Sequence, residues 1–504
     1  MIVAYSTRKE NRPSKGNENW PRPWCVRRGR CVRVVHRKKY RPWNPQSYRQ
    51  QPFSPDGRLP EDDLVFFLLD LVPHLDLEDF YASYEVETRG APPFEPALLV
   101  CLLLYAYCLG VYSSRKIARA CERNLAFLAI VGSDRPDFRT ISDFRKEHLH
   151  RLADLFVQVL RLAAEAGLVR LGNLAFDGSK FTGQASRHKA MSYGYLHKEE
   201  ARLKEESQAL LAQAEQIDAA EDAVHGSRGG DELPAELKRR EERLAVIAAA
   251  KQRLEEQARA EAEAERQQRA EAEAERQRSG KKRRGKEPAP VRAVPADKAQ
   301  CSFSDPELKM MPQSNKGWDY APNAQVSVDG AFQIIVACFV TEAVNDKEQA
   351  VPLAEATRAK LQQAGVELPQ DETGAAQKIP ATLDAGYYSE QAAAGLEERG
   401  FDPHMATGRQ KHNQGKVETT TAALPAGATA KEKMQAKLRT PAGQQLYAQR
   451  KTIVEPVFGQ IKGARGFRRF SLRGLLKIAG EWCLVCLTHN LLKLWRYRCA
   501  PSVT

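Results

Sequence analysis

The chain has 504 residues, 42% of them hydrophobic and 8% aromatic. That suffices for two or three domains with ordinary cores, and it excludes a wholly disordered, collagenous or disulfide-stapled polypeptide. The net charge of +13 is unevenly placed: residues 1–60 hold 15 Lys and Arg against 3 Asp and Glu, residues 431–504 hold 15 against 3, and the body between them is left at −11. Basic ends attract polyphosphate through release of its condensed counterions, so nucleic acid leads as partner class, ahead of an anionic membrane surface. Ten scattered cysteines and no secretory pattern point to reduced thiols in a cytosol. Cys483 and Cys486, a lone CxxC within EWCLVCLTHNLL, read as core thiols because no second Cys/His pair stands at zinc spacing. The apolar run of residues 96–112 is shorter than the ~20 apolar residues that span a bilayer.

Residues 1–60 show no sustained periodicity and are expected to be mostly disordered, with a later start codon as one reading of their first part. Residues 61–167 read as helical: EDDLVFFLLDLVPHL, LEDFYASYEV, FEPALLVCLLLYAYCLGVY, then a helix capped by Ser113 or Ser114 that carries Arg115, Lys116, Arg119 and Arg123. A further helix opens at Thr140, with Asp143 three residues on, and runs to Gly167. Several short helices with a basic one among them suit docking in a DNA groove; a bundle with merely solvated basic side chains is the plainer alternative.

The pattern turns to strand in LVRLGNLAFDGSKF, and is interrupted from residue 195 to about 278 by an Ala/Glu/Arg/Lys/Gln-rich helical stretch. Leu196, Leu203, Leu210 and Ile217, then Leu237, Leu244, Ile247 and Leu254, predict an antiparallel hairpin turning near Gly229 and Gly230. Its second arm repeats RAEAEAER without large apolar residues, and a basic linker, 279–295, closes it. Strand character returns in NAQVSVDGAFQIIVACFV with a hairpin signal at Asp329-Gly330. Helix, strand (IPATLDAGYYS), helix, a short strand (HMATGR), a low-complexity loop and two long helices follow, an α/β layout with an insertion in its middle.

An acidic residue just past a strand end sits at the rim of a sheet, where ligands of α/β folds gather. Asp177 and Asp384 have that placement, each followed closely by Gly. Two such carboxylates and a third from a nearby helix can hold two divalent cations roughly 3.5–4 Å apart for phosphodiester chemistry. Glu455 in IVEPVFGQIKG is the natural third; a helix from Val454 with Pro456 in its first turn would put Glu455, Gly459 and Lys462 on one face, Lys462 beside a phosphate. The plain alternative is that a strand-end Asp is only a turn former. No Walker loop, G-x-S-x-G elbow or HExxH points to another chemistry.

Between about Arg41 and Trp495 the chain resembles insertion-sequence transposases of the IS1182 group, within the IS4/IS5-like DDE class. The stretches that carry the likeness are LPEDDLVFFLLDLV, the block from FEPALLV to NLAFLAI, RTISDFRKEH, FDGSKFTGQASRHKAMSY, YAPNAQVSVD, VNDKEQAVPL, LDAGYYSE, ATGRQKH and YAQRKTIVEPVFGQIKGARGFRRFSLRG. The resemblance implies an RNase H-like catalytic core (168–194 and 300–495), interrupted by a helical-hairpin insertion (195–299) and preceded by an all-helical, DNA-binding N-terminal domain (61–167), with a tail at 496–504. It implies Asp177, Asp384 and Glu455 as catalytic acids binding two Mg²⁺ ions, with Mn²⁺ as a substitute. Tyr447, Arg450, Glu455 and Lys462 resemble the family's Tyr-Arg-Glu-Lys signature, although four residues separate Arg450 from Glu455 where the broader pattern has three. The implied reaction hydrolyses a phosphodiester at the element end and transfers the freed 3′-OH into target DNA. Lys462, Arg465, Arg468, Arg469 and Arg473 would line the DNA track, and Arg115, Lys116, Arg119 and Arg123 would bind terminal repeats. Double-stranded DNA is then the partner of a cytoplasmic, nucleoid-associated homodimer or higher oligomer. An inactive DNA-binding derivative and a coiled-coil scaffold are the rival readings.

Overall fold

The computed structural model describes residues 41–44, 58–85, 92–186, 189–225, 235–278, 289–313, 317–370, 376–408 and 427–500. Most of residues 1–60, expected to be disordered, fall outside them, as do residues 279–288 of the basic linker (279–295) and most of the low-complexity loop. Among the described residues seven α-helices come first: α1 (Leu64–Leu71), α2 (Glu78–Ala82), α3 (Pro96–Cys108), α4 (Ser114–Arg123), α5 (Leu125–Val131), α6 (Phe138–Glu147) and α7 (Leu152–Glu165). Then follow β1 (Leu174–Lys180), β2 (Ala190–Ser192), α8 (Tyr193–His225), α9 (Ala235–Arg278), β3 (Gln300–Ser302), β4 (Met310–Pro312), β5 (Trp318–Tyr320), β6 (Asn323–Asp329) and β7 (Ile335–Thr341). The chain closes with α10 (Ala350–Gln363), β8 (Ile379–Leu383), α11 (Glu390–Glu398), β9 (Phe401–Met405), α12 (Ala430–Arg439), α13 (Pro441–Gly459), a π-helical turn (Gln460–Ala464) and α14 (Leu475–Cys499).

Two compact units result, one from residues 1–181 with 323–504 and the other from 182–322. In the first, a five-stranded mixed sheet has the order β7-β6-β1-β8-β9. β7, β6 and β1 form an antiparallel meander, and β8 and β9 run parallel to β1. Every residue of β6 is buried, as a strand inside a sheet covered on both faces requires. The Asp329-Gly330 hairpin forms, and the Asp329 carboxylate accepts from the backbone N–H of Leu171 and Ala331. Helix α14 has the length and apolarity to cross a bilayer, but Trp482, Leu487 and Leu491 are fully buried where it packs on β7, α7 and α3, so it is a core helix. Cys486 is buried there, in keeping with a core thiol.

The helical region 61–167 belongs to this same unit. All thirteen residues of α3 are buried, with Pro96 opening the helix where its missing N–H costs nothing. The helix expected from Thr140 to Gly167 is two, α6 and α7. The cap of α6 is Asp137, which accepts from Thr140 N at 2.7 Å, and the break at residues 148–151 lets the His148 ring lie 4.4 Å from that of Phe144 and 5.3 Å from that of Phe80. Packing there overrides helix propensity. Ser113 is the N-cap of α4 by position, without a side-chain hydrogen bond.

In the second unit α8 and α9 run antiparallel: Tyr193 meets Glu255, Lys251 meets Glu200 and Arg240 meets Glu206, the partner numbers falling as the first helix rises. Leu196, Leu203, Ile247 and Leu254 are buried between them, with Leu244 packed alongside and Leu210 half-buried, so the heptad stripe is the hairpin's own seam. The side chains of Ile217 and Leu237 and the turn at Gly229-Gly230 lie outside the described residues. The RAEAEAER arm is largely exposed, Ala262 excepted. Ribbons β2–β3 and β4–β5 belong to this unit, which is therefore wider at both ends than 195–299.

Candidate active site

Strand β1 runs parallel to β8, and their last paired residues are Phe176 and Leu383, both fully buried. The next residue of each segment is an acid: Asp384 just past the end of β8, as expected, and Asp177 inside β1, which stays paired with β6 as far as Lys180 instead of ending at the acid; the register sets the two side by side. Asp384 Oδ1 accepts from Gly386 N at 2.7 Å, which tightens the turn after β8. The Asp177 side chain is 19% exposed, and its Oδ2 accepts from Arg450 Nη1 at 3.3 Å. Burial pushes the Asp177 carboxyl up to about 7; Arg450 opposes that rise, while the charges of Asp384 and Asp346 add to it. Arg450 is also bonded to Tyr447, whose hydroxyl is raised chiefly by burial. The Arg450 position, one residue off the family spacing, thus still reaches the first acid.

Helix α13 begins at Pro441, capped by Thr440, rather than near Val454, so Pro456 stands in its interior instead of its first turn. A proline there leaves the carbonyl four residues back without its helical donor. That carbonyl, Thr452 O, receives Gln333 Nε2 at 3.0 Å from the β6–β7 turn instead, which repairs the defect. Beyond Gly459 the helix widens into the π turn, a local change of pitch often found at functional sites. This turn carries Lys462, whose Nζ donates to Ser179 Oγ at 2.6 Å and to Lys180 O at 2.9 Å and stands 4.3 Å from the Phe181 ring centre. Desolvation lowers the Lys462 ammonium, and the Asp177 charge partly restores it.

Glu455 is exposed on α13 and makes no hydrogen bond or ion pair among the described residues. Among those residues no group of three or more His, Cys, Asp or Glu side chains is arranged to hold a metal ion. The structure therefore brings Asp177, Asp384, Arg450, Tyr447 and Lys462 to one rim, and Glu455 does not complete a three-carboxylate group. Its helix turns a neighbouring face to the sheet through buried Ile453, Val454 and Val457.

The expected DNA-facing residues divide. Arg115, Lys116, Arg119 and Arg123 are exposed along α4, opposite buried Ile117 and Cys121, and Arg115 also stacks over Phe138 at 5.0 Å. Arg468, Arg469 and Arg473 are exposed after the π turn. Arg465 is not available to DNA: it is 7% exposed, and its guanidinium donates to the carbonyls of Tyr107 at 3.1 Å and Val485 at 3.0 Å and to the Thr488 hydroxyl. It ties the end of α3 to α14. Gly110, at φ +76°, is needed there, because a Cβ would lie 2.4 Å from the Arg465 carbonyl oxygen.

Four residues of this rim escape sequence reasoning: Asp346, Asn323, Gln325 and Tyr387. Asn323 Nδ2 and Gln325 Nε2 both donate to Asp346 Oδ1 at 2.7 Å, and the Tyr387 hydroxyl donates to Gln325 Oε1. The available signal was the alternation in β6, where Asn323, Gln325, Ser327 and Asp329 line one face with polar groups that demand partners once the strand is buried.

Two family models match the chain. Residues 53–147 match a model described as Transposase domain (DUF772), and residues 408–495 match one described as Transposase DDE domain. Both matches are to transposase domains, one over the helical N-terminal region and one over the segment holding Tyr447, Arg450, Glu455 and Lys462. They are consistent with an IS1182-type element. No curated protein and no solved structure matches the chain.

Proposed function

We propose that the protein cleaves DNA at the ends of an insertion element and joins the freed 3′-OH to target DNA, using an RNase H-like core. The observation that carries this reading is the pair Asp177 and Asp384, aligned by strand register on neighbouring parallel strands next to Arg450 and Lys462 of the DDE segment. The donor set fits a hard divalent cation: carboxylate oxygens, one of them desolvated and facing two further acids, with Arg450 as its paired counter-charge. Asp177 and Asp384 would hold Mg²⁺, which when bound supplies charge neutralisation at the reacting phosphate. Glu455, exposed on α13 and outside the acid pair, is the acid that must move in for the expected trio to form.

The chain's own residues do the rest. Lys462, fixed by Ser179 and the Lys180 carbonyl, presents a cation beside Asp177 for a non-bridging phosphate oxygen. Arg450 orients the Asp177 carboxylate. The exposed Arg468, Arg469 and Arg473 extend a basic surface from Lys462 for the DNA backbone, and α4 offers a second one for terminal repeats. Asp384→Asn should abolish Mg²⁺-dependent cutting of DNA carrying the element ends while binding that DNA within a few-fold of wild type; unchanged cutting contradicts the reading. A DNA-binding derivative without chemistry is the second reading, favoured by the exclusion of Glu455 from the acid pair, and it predicts binding without cutting by the wild type as well.

A further inference from the structure

Asp346 lies in the connection between β7 and α10, outside every role assigned so far. Its Oδ1 accepts both the Asn323 and the Gln325 amide, so it is bonded to two successive same-face positions of β6. Asn323 Nδ2 also donates to Ala343 O at 3.3 Å, anchoring the connection itself. With its Nε2 fixed on Asp346, Gln325 can turn only Oε1 to Tyr387, whose buried hydroxyl donates to it. Tyr387 belongs to the turn that begins at Asp384: Tyr387 N donates to the Asp384 carbonyl at 3.3 Å, and Gly386 N to the Asp384 carboxylate. One chain of hydrogen bonds thus runs from Asp346 through Gln325 and Tyr387 to the backbone that sets the position of Asp384.

Strand β1 is built around the same chain. Gly178, next to Asp177, pairs with Gln325 across the sheet, and a Cβ on it would lie 2.1 Å from Gln325 Nε2 and 2.9 Å from Asp346 Oδ1. The residue after the first acid therefore has no side chain because this network occupies its place. Trp482 Nε1 donates to the Gln325 carbonyl at 3.2 Å, so the amide is held at both its backbone and its side chain.

We propose that Asp346 is a positioning residue of the active site: by clamping Gln325 it fixes the Tyr387 hydroxyl, and through it the turn that holds Asp384 alongside Asp177. This rests on the reading of those two acids as the cation-holding pair. A positioning role differs from direct ligation in one testable respect. Asn at position 346 keeps an Oδ1 that can accept both amides, whereas a carboxylate that ligates a cation tolerates no such exchange.

The experiment measures Mn²⁺ affinity by titration calorimetry, and kcat and KM for cutting of end-containing DNA, on the full chain. Asp346→Ala and Tyr387→Phe should each lower Mn²⁺ affinity and kcat by about 10- to 100-fold, the usual effect of losing a partner of a ligand. KM for DNA should stay within a few-fold. Asp346→Asn should recover most of both losses, and the Asp346→Ala, Tyr387→Phe double variant should lose no more than the worse single one. The proposal is overturned if the Asn variant is as impaired as the Ala variant, if Tyr387→Phe behaves as wild type, or if the two losses multiply. Should the Ala variant fail to fold, Asp346→Asn and Tyr387→Phe decide alone: a near-normal Asn variant with an impaired Phe variant supports the proposal, and any other pairing overturns it. A wild type with neither Mn²⁺ affinity nor cutting fails earlier, at the acid pair itself, and takes this proposal with it.

Discussion

Replacing Asp177 with Asn is expected to stabilise the cation-free protein above neutral pH. Folding raises this carboxyl from 3.8 to about 7, so the folded chain binds the proton more tightly than the unfolded chain does. The resulting stability is complete below about pH 4 and is lost as the pH rises through about 7. A gap of that size corresponds to about 4 kcal/mol. Because 19% of the side chain remains exposed, about 2–4 kcal/mol is the realistic loss for wild type. Asn does not titrate and escapes it; the attraction of Arg450 is already contained in the folded value of about 7, so its loss is not a further cost. Thermal or urea melts in EDTA at pH 5 and pH 8 measure the effect as a difference between variant and wild type. That difference cancels His148 and His489, which burial holds down at about 4 and about 3 in both proteins. The variant should gain on wild type by about 1–3 kcal/mol between the two pH values, and Mg²⁺ should narrow the gap by stabilising wild type alone. A gap that stays constant with pH would refute the placement of Asp177 in a desolvated, acid-rich rim.

Arg465→Ala should destabilise the protein by about 3 kcal/mol in chemical denaturation, because buried carbonyls lose a charged donor. The Arg468→Ala, Arg469→Ala double variant should melt like wild type but bind DNA less tightly, with the slope of log affinity against log salt shallower by about 2; equal effects of the two sets would contradict the division made here. Charge reversal at exposed Lys116 and Arg119 should weaken binding of end DNA without moving the melting temperature, since both project away from the buried face of α4. Gln333→Ala should cost about 0.5–1.5 kcal/mol by removing the exposed hydrogen bond to the Thr452 carbonyl below Pro456, a loss read in the same melts.

Asp384 was legible because a short apolar strand does stop at that acid, whereas Asp177, expected past its strand, lies inside β1: the apolar run ends there but the strand continues to Lys180, paired with β6. The hairpin seam was legible because Leu196, Leu203, Ile247 and Leu254 repeat at a spacing that only paired helices use. Helix α12 was not found within the loop, although Thr429 and Glu432 form a capping box at its start. The basic run after Lys462 looked uniform, yet the π turn and Gly466, at φ +67°, redirect the chain so that Arg465 points inward and Arg468 outward. No local pattern encodes that. Asp346 was illegible because its meaning depends on two amides and a phenol brought together from β6 and the turn after β8. The exposed state of Glu455 was equally hidden, since helix phase alone placed it with Lys462 and said nothing of which neighbours its carboxylate meets.

The central claim is that Asp177 and Asp384 hold the catalytic cation. Anomalous diffraction from crystals of the protein with end DNA and Mn²⁺ tests it most directly. The account predicts a manganese peak shared by these two carboxylates, with Glu455 drawn toward it. Manganese bound elsewhere, with Asp177 still paired only to Arg450, would contradict it.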